Sequence, residues 1–279
     1  MALGDVEESM AVIDAAAARE PGVLDPSPAS LAERAAIRRA HARFVNRDGP
    51  GAWVAVSDER VVGVAESIRR DGFWGLSMLF IHPNFQGLGV GRRLLDAALG
   101  YSTGAPVRMI QSSPDSRAIR RYAIAGLAMH PAVEVRGVPD RRAIPSALPG
   151  RHGNHEDLDL VAAVEAALGR SRTEDVAFTL EDANARLEVV DDGRRRGWIL
   201  WRSGRLIMLG ATDDDTAANL MWRYLAEVDG EALTSGLTAA QGWAFAVAHE
   251  AHLTVRVDGA MFVAGMNLPG PWIPSGWYF

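Results

Sequence analysis

The stretch LSMLFIHPNFQGLGVGRRLLDAAL, residues 76–99, decides the fold. Its first six residues form an apolar run that predicts a buried strand, and its last nine have the spacing of a helix. Between them, Gly87, Gly89 and Gly91 alternate with other residues. Glycine tolerates positive φ and leaves its main chain accessible. The pattern therefore predicts a sharp turn from a strand into a helix, with exposed backbone amides.

Such a turn is a candidate phosphate site. It gathers several backbone N–H groups, and the start of the helix adds unpaired donors and a partial positive charge. Arg92 and Arg93 lie in the first helical turn, where either could pair with phosphate. A P-loop requires Lys, which this chain lacks entirely. The dinucleotide-binding pattern G-x-G-x-x-G follows a first strand, whereas these glycines run G-x-G-x-G after a third predicted strand.

The composition narrows the class of protein. The chain has 279 residues, a net charge of -6, no Cys, and Arg at all 29 of its Lys-or-Arg positions. The acidic balance gives no general attraction to nucleic acid or to an anionic membrane. Without Cys, disulfides, thiolate metal sites and a Cys-linked acyl-enzyme are excluded. We expect a cytoplasmic enzyme or binding protein without a metal ion.

The order of predicted elements indicates two related α/β halves. Helical and strand patterns over residues 1–138 recur more faintly over 151–279, and the Pro-rich segment 139–150 reads as a linker. Ser30 is expected as the N-cap of the second helix, with Glu33 completing a capping box. The predicted fold is a mixed sheet flanked by helices, present twice.

The motif Gln86-Gly87-Leu88-Gly89-Val90-Gly91 resembles the Gln/Arg-x-x-Gly-x-Gly/Ala signature of the GNAT superfamily of acyl-CoA-dependent N-acetyltransferases. The element order of residues 10–138 is similar to that family as well. The resemblance implies an active first domain of residues 1–138 and a degenerate copy over 151–279.

In that family the turn amides would hold the pyrophosphate of acetyl-CoA, and the end of the preceding strand would bond the pantetheine arm. The N–H of Leu79 would then face the thioester carbonyl as an oxyanion donor. His82 is expected only as a strand-exit residue. The residues implied in cofactor binding are Leu79, Phe80, Ile81, Gln86, Gly87, Leu88, Gly89, Val90, Gly91 and Arg92.

The resemblance also supplies a catalytic acid. Tyr122 lies four residues before Gly126, like the family tyrosine that donates to the CoA sulfur, although Asp115 replaces the usual Asn. Direct attack of the amine in a ternary complex is the simplest mechanism.

The base is less defined. Many relatives carry a Glu where this chain has Gly75. Glu66, on a strand expected to be half-exposed, is the nearest alternative. A relay through ordered water and the C-terminal carboxylate of Phe279 remain open.

At the position matching the glycine turn, the second half reads GATDDDTAAN. Each of Asp213, Asp214 and Asp215 would repel a diphosphate, because one such charge at about 6 Å costs roughly 2–3 kcal/mol at an effective dielectric of 20. The second copy is therefore expected to support the first, to wall the acceptor pocket or to form a homodimer interface. The predicted function is acetyl transfer from acetyl-CoA to a small-molecule or peptide amine. The alternative is a CoA-binding sensor or scaffold with little turnover.

Overall fold

The computed structural model describes residues 1–19, 31–182, 184–268 and 270–278, without the side chain of Ala32. The chain divides into two compact units, residues 1–110 and 111–279. Each is described by itself. The predicted N-cap Ser30 and the terminal Phe279 lie outside the described residues.

Unit 1 has three antiparallel strands joined to a parallel fourth. Strand β1 (Ala52–Ser57) pairs with β2 (Arg60–Arg70), and β2 pairs with β3 (Phe73–Ile81). Strand β4 (Val107–Ser112), which contains the division between the units, runs parallel to β3. The helices of unit 1 are α1 (Val6–Arg19), α2 (Leu31–Arg47) and α3 (Val90–Gly100).

Close packing of α3 on β2 holds the end of the turn in place. Val90, Leu94, Leu95 and Ala98 form the buried face of α3. A Cβ added to Gly63 of β2 would lie 2.9 Å from Leu94 Cδ1, so this strand position has no room for a side chain. Nearly every residue of β2 is buried, which places the strand between two covered faces.

Unit 2 contains the remaining elements. Its sheet order is β11-β5-β10-β9-β8-β7-β6, and β12 pairs with β9. The strands are β5 (Ala128–Gly137), β6 (Arg151–Gly153), β7 (Ala185–Asp191), β8 (Arg196–Arg202), β9 (Arg205–Ala211), β10 (Ala232–Leu237), β11 (Thr254–Ala264) and β12 (Trp272–Ile273). The helices are α4 (Ser116–Ile124), α5 (Leu158–Ala167), α6 (Thr173–Leu180), α7 (Asp214–Glu227) and α8 (Gly242–Glu250).

The division into compact units falls at a different place from the predicted boundary of the sequence repeat. Strand β5 pairs with β11 and β10, so residues 128–137 group with unit 2. The sequence domains 1–138 and 151–279, with their linker at 139–150, stay a prediction.

One irregularity occurs in both halves and supports the tandem repeat. Between β2 and β3 the register passes from Glu66↔Met78 to Ser67↔Leu76 and skips Ser77. Between β8 and β9 it passes from Leu200↔Met208 to Trp201↔Leu206 and skips residue 207. The two β-bulges align β3 with β9. The predicted mixed sheet flanked by helices is confirmed.

Candidate functional site

The turn between β3 and α3 is fixed by its own side chains. The backbone N–H of His82 donates to the Val62 carbonyl at 2.9 Å, and the His82 ring accepts from the Asn84 N–H at 3.3 Å. Gln86 reaches back, and its Nε2 donates to the Ile81 carbonyl at 3.2 Å. The structure therefore shows His82 at the exit of the strand and Gln86 closing the turn, before the glycines begin.

Gly87 and Gly89 have the backbone conformation that the motif predicts. Their φ angles are 78° and 81°, and Gly89 is the N-cap of α3. A Cβ at either residue would meet no atom within 4 Å, so open space lies in front of both. Glycine is needed here for its positive φ rather than for internal packing. The space that a ligand would use is available.

Six consecutive backbone amides at this turn have no partner among the described residues. Within the described part of the chain, no acceptor bonds the N–H groups of residues 87–92, and the first helical bond runs from Arg93 N–H to the Gly89 carbonyl at 3.2 Å. Arg92 and Arg93 are exposed, and neither forms an ion pair with a described carboxylate. Free amides, a helix start and two cations together suit a polyanion.

The strand that leads into the turn has an open edge. Its parallel pairing with β4 covers only Phe73–Leu76, opposite Val107–Ile110. Residues 79–81 pair with β2 alone among the described residues, at Ala65, Val64 and Gly63. The backbone edge of Leu79, Phe80 and Ile81 that faces away from β2 is therefore available to a ligand that carries amides.

Glu66 lies on the neighbouring strand, and its side chain is completely buried. Its two carboxylate oxygens each lie 2.8 Å from His41 Nδ1 on α2. Burial raises the pKa of Glu66, and the His41 hydrogen bond and charge oppose that rise. The residue was expected on a half-exposed strand, whereas both faces of β2 are covered. Its Cα pairs with Met78, the neighbour of Leu79.

Gly75, at the place where many relatives have an acid, is buried between Ile68 and Met109 in the sheet register. It carries no ionisable group. Glu66 is therefore the carboxylate of unit 1 that lies nearest to Leu79 in the strand register.

Tyr122 belongs to unit 2. It lies on α4, whose N-cap Asp115 accepts from the Arg117 N–H at 2.9 Å. The Tyr122 ring is buried edge-on against Phe262 of β11, with ring centroids 5.6 Å apart. Among the described residues, nothing hydrogen-bonds its hydroxyl. Burial, with a contribution from the Asp115 charge, raises the pKa of Tyr122 well above its usual range, so the hydroxyl keeps its proton.

The structure thus brings the predicted cofactor residues and Glu66 together on β2, β3 and the turn of unit 1. Tyr122 lies in unit 2. Within the described residues, no group of three or more His, Asp or Glu side chains could hold a metal ion. Across those same ranges, no helix is long and apolar enough to cross a bilayer.

The corresponding turn in the second copy is almost absent. Strand β9 ends at Ala211 and α7 begins at Asp214, so two residues stand where unit 1 has residues 82–89. Asp213 is the N-cap and accepts from the Thr216 N–H at 2.8 Å. Its carboxylate occupies the helix start that would otherwise receive an anion.

The open strand edge is also covered in the second copy. Strand β12 pairs with β9, at Trp272↔Gly210 and Ile273↔Leu209, and the Ala211 N–H donates to the Pro271 carbonyl at 2.8 Å. The shared bulge aligns Leu209 and Gly210 with Leu79 and Phe80 of unit 1. The chain's own C-terminal segment therefore takes the edge that unit 1 leaves free.

A buried ion pair fastens this covering strand, and the sequence interpretation missed it. Arg172 makes a bidentate pair with Glu165 at 2.8 Å for both bonds, and both side chains are buried. The same guanidinium donates to the carbonyls of Ile273 at 3.0 Å and Leu209 at 3.2 Å. Only the short spacing from Glu165 to Arg172 was visible in the sequence.

Comparisons with known proteins agree with this geometry. Residues 23–127 match the family model described as the acetyltransferase (GNAT) family. No curated protein matches the chain. An inferred acetyltransferase from Pyrococcus horikoshii is similar over 100% of this chain and 94% of its own, with a TM-score of 0.79 and 12% identity.

Two further solved structures are similar over nearly their whole length. A GCN5-related N-acetyltransferase from Sphaerobacter thermophilus has a TM-score of 0.61 and 16% identity, covering 97% of this chain and 96% of its own. A tandem GNAT protein from the clavulanic acid biosynthesis pathway has a TM-score of 0.54 and 17% identity, covering 99% and 97%. At these identities the likeness establishes the shared tandem fold.

Proposed function

We propose that the chain transfers an acetyl group from acetyl-CoA to an amine, on the basis that residues 23–127 match the model of the acetyltransferase (GNAT) family. One observation carries the proposal. In unit 1 the unpartnered amides of residues 87–92 directly follow a strand whose outer edge is open at residues 79–81. A diphosphate and an amide-bearing pantetheine arm are the groups that these two features fit.

The reaction faces two proton problems. An alkyl amine with a pKa near 10.4 is mostly protonated at neutral pH, which costs roughly 4 kcal/mol before it can attack. The departing thiolate must also gain a proton. Since the chain has no Cys, no Cys-linked acyl-enzyme can form. Direct attack of the amine nitrogen on the thioester carbon is then the simplest route, and the carbon–sulfur bond breaks as the tetrahedral intermediate collapses.

We assign Tyr122 as the acid that protonates the departing sulfur, on the family resemblance. Its unbonded hydroxyl supports this role, because the proton is not already shared with another described acceptor. The N–H of Leu79 is assigned to the oxyanion.

Glu66 is proposed as the base. Its carboxylate is completely buried against His41, on the strand that pairs with β3 beside Leu79. Relay of the proton through ordered water, with no dedicated base, is the alternative.

A CoA-binding sensor with little turnover is the second candidate. Two observations favour it: Gly75 has no acid, and Glu66 is closed off against His41. A free-thiol assay with acetyl-CoA and a library of primary amines separates the two. The protein has no Cys to add thiol and no Lys to acetylate, so the readout has no side-chain background. Amine-dependent thiol release supports the enzyme. Tight acetyl-CoA binding with no such release supports the sensor.

A further inference from the structure

Two strands of unit 2 are irregular at the same level. On β11 the register passes from Val257↔Val133 to Gly259↔Ala132, which leaves Asp258 as the extra residue of a bulge. On β10, the other neighbour of β5, the register shifts between Thr234 and Leu237, and Leu237 also pairs with Val133. Bulges re-aim side chains and occur often beside active sites.

The Asp258 carboxylate is held on one oxygen only. Its Oδ2 accepts from the Gly236 N–H at 2.8 Å and from Gln111 Nε2 at 3.3 Å. No described residue donates to Oδ1. The carboxylate is thus oriented by protein donors and keeps one oxygen available.

The Gln111 side chain offers a second acceptor. Its Oε1 is buried and receives no hydrogen bond from any described residue. The bond from Nε2 to Asp258 fixes which end of the amide is the oxygen. Gly236 approaches closely, since a Cβ there would lie 3.0 Å from Gln111 Nε2. A buried acceptor without a donor costs about 1–3 kcal/mol, which a suitable ligand would recover.

The burial of the Asp258 carboxylate favours a cation beside it. Burial raises the pKa of Asp258, and the charge of Glu134 on β5 adds to the rise. The Gly236 and Gln111 hydrogen bonds and the charge of Arg205 on β9 oppose it. A cation next to the carboxylate would relieve the unfavourable burial of its negative charge.

The two free acceptors, Asp258 Oδ1 and Gln111 Oε1, suit a ligand group that only donates hydrogen bonds. A primary ammonium has three donors and no acceptor. We propose that Asp258 and Gln111 bind a primary ammonium group at a site within unit 2.

The probe is n-hexylammonium chloride, titrated into the full-length protein by ligand-observed NMR, with 1-hexanol as the uncharged isostere. Wild type should show saturable binding of the ammonium and weaker binding of the alcohol. Asp258→Asn should weaken ammonium binding at least tenfold, and Gln111→Leu should weaken it as well. Asp159→Asn makes the same chemical change on the exposed surface of α5 and should leave binding unchanged.

Equal ammonium affinity in wild type and Asp258→Asn, or no saturable binding by wild type, would overturn the proposal. Equal affinity for the alcohol would overturn it too. Calorimetry with acetyl-CoA on the same samples separates this result from the proposed function. If wild type does not bind acetyl-CoA, the proposed function is wrong. The amine titration tests the Asp258 site alone.

Discussion

Leu79 and Leu209 each lie two residues beyond the bulged position of their strand, yet their outer edges differ. Leu209 is paired with Ile273 of β12. Leu79 is paired with Ala65 of β2 alone in the described ranges. One backbone position, present twice in the chain, is thus closed by the protein in one copy and left accessible in the other. We therefore expect a single acyl-CoA site per chain, in unit 1.

Replacing Tyr122 by Phe removes the proposed proton donor and keeps the ring that packs against Phe262. We expect turnover to fall by about 10²–10⁴-fold while acetyl-CoA affinity stays near that of wild type. Steady-state kinetics and acetyl-CoA calorimetry measure the two quantities.

Tyr101→Phe is the matched control, because its hydroxyl hydrogen-bonds Asp48 at 3.2 Å in unit 1 and has no proposed role. An unchanged rate in Tyr122→Phe would remove Tyr122 as the acid.

Replacing Glu66 by Gln keeps the size of the side chain but removes its ability to take up a proton. If Glu66 is the base, turnover should fall by about 10²-fold or more with acetyl-CoA affinity unchanged. Glu188→Gln is the control, because Glu188 is another buried carboxylate that pairs with a histidine, His152, at 2.5 Å. Turnover that falls no further than in this control would show that Glu66 and His41 form a structural pair only.

Removing Arg172 from its buried pair with Glu165 should strongly destabilise the fold. Arg172→Ala leaves the buried Glu165 carboxylate without its partner, and we expect a loss of about 3–5 kcal/mol in the free energy of unfolding. Arg196→Ala removes an exposed pair with Asp191 at 3.4 Å and should cost less than about 1 kcal/mol. Urea denaturation measures both. Similar losses in the two variants would contradict the fastening role of Arg172.

Asp258 should make stability depend on pH in a defined direction. Because the pKa of Asp258 is raised on folding, its contribution is fully present below the unfolded carboxyl pKa, about 3.9. It is lost as the pH rises through the folded pKa. Asp258→Asn should therefore be more stable than wild type at neutral pH and similar to it near pH 3.

Asp192 provides a control of opposite sign. Its pKa is lowered to about 2, first by the Arg195 backbone N–H, so its contribution is present at neutral pH and lost in acid. Asp192→Asn should destabilise at neutral pH. Denaturation curves at neutral pH and near pH 3 test both predictions. An Asp258→Asn variant that is less stable than wild type at neutral pH would contradict a raised pKa of Asp258 in the folded protein.

Local sequence predicted unit 1 well. The strand, the glycine turn and the helix are adjacent in the chain, and Gly87 and Gly89 adopt the positive φ that their positions indicate. The burial of Glu66 was not predicted, because alternation in a strand indicates exposure only where one face meets water. Both faces of β2 are covered in this fold.

The closure of the second copy depends on contacts that no local pattern contains. Arg172 meets carbonyls of Leu209 and Ile273, which are far from it in the chain. Matching residues 73–99 to residues 202–228 without a gap places Asn219 opposite Val90, whereas the structure begins α7 at Asp214. The second copy has fewer residues between its strand and its helix than unit 1 has. The alignment of the two halves therefore shifts at this turn, as the structure shows.

The most direct test of the account is calorimetric titration of CoA into Gly89→Glu. A carboxylate placed about 6 Å from a diphosphate charge costs roughly 2–3 kcal/mol at an effective dielectric of 20, so we expect affinity to fall about 100-fold. Gly193→Glu is the matched control, because Gly193 has a φ of 83° and equally open surroundings in unit 2. The account predicts near wild-type affinity in Gly193→Glu and an affinity about 100-fold lower in a folded Gly89→Glu. CoA affinity in Gly89→Glu equal to that of the control would contradict it.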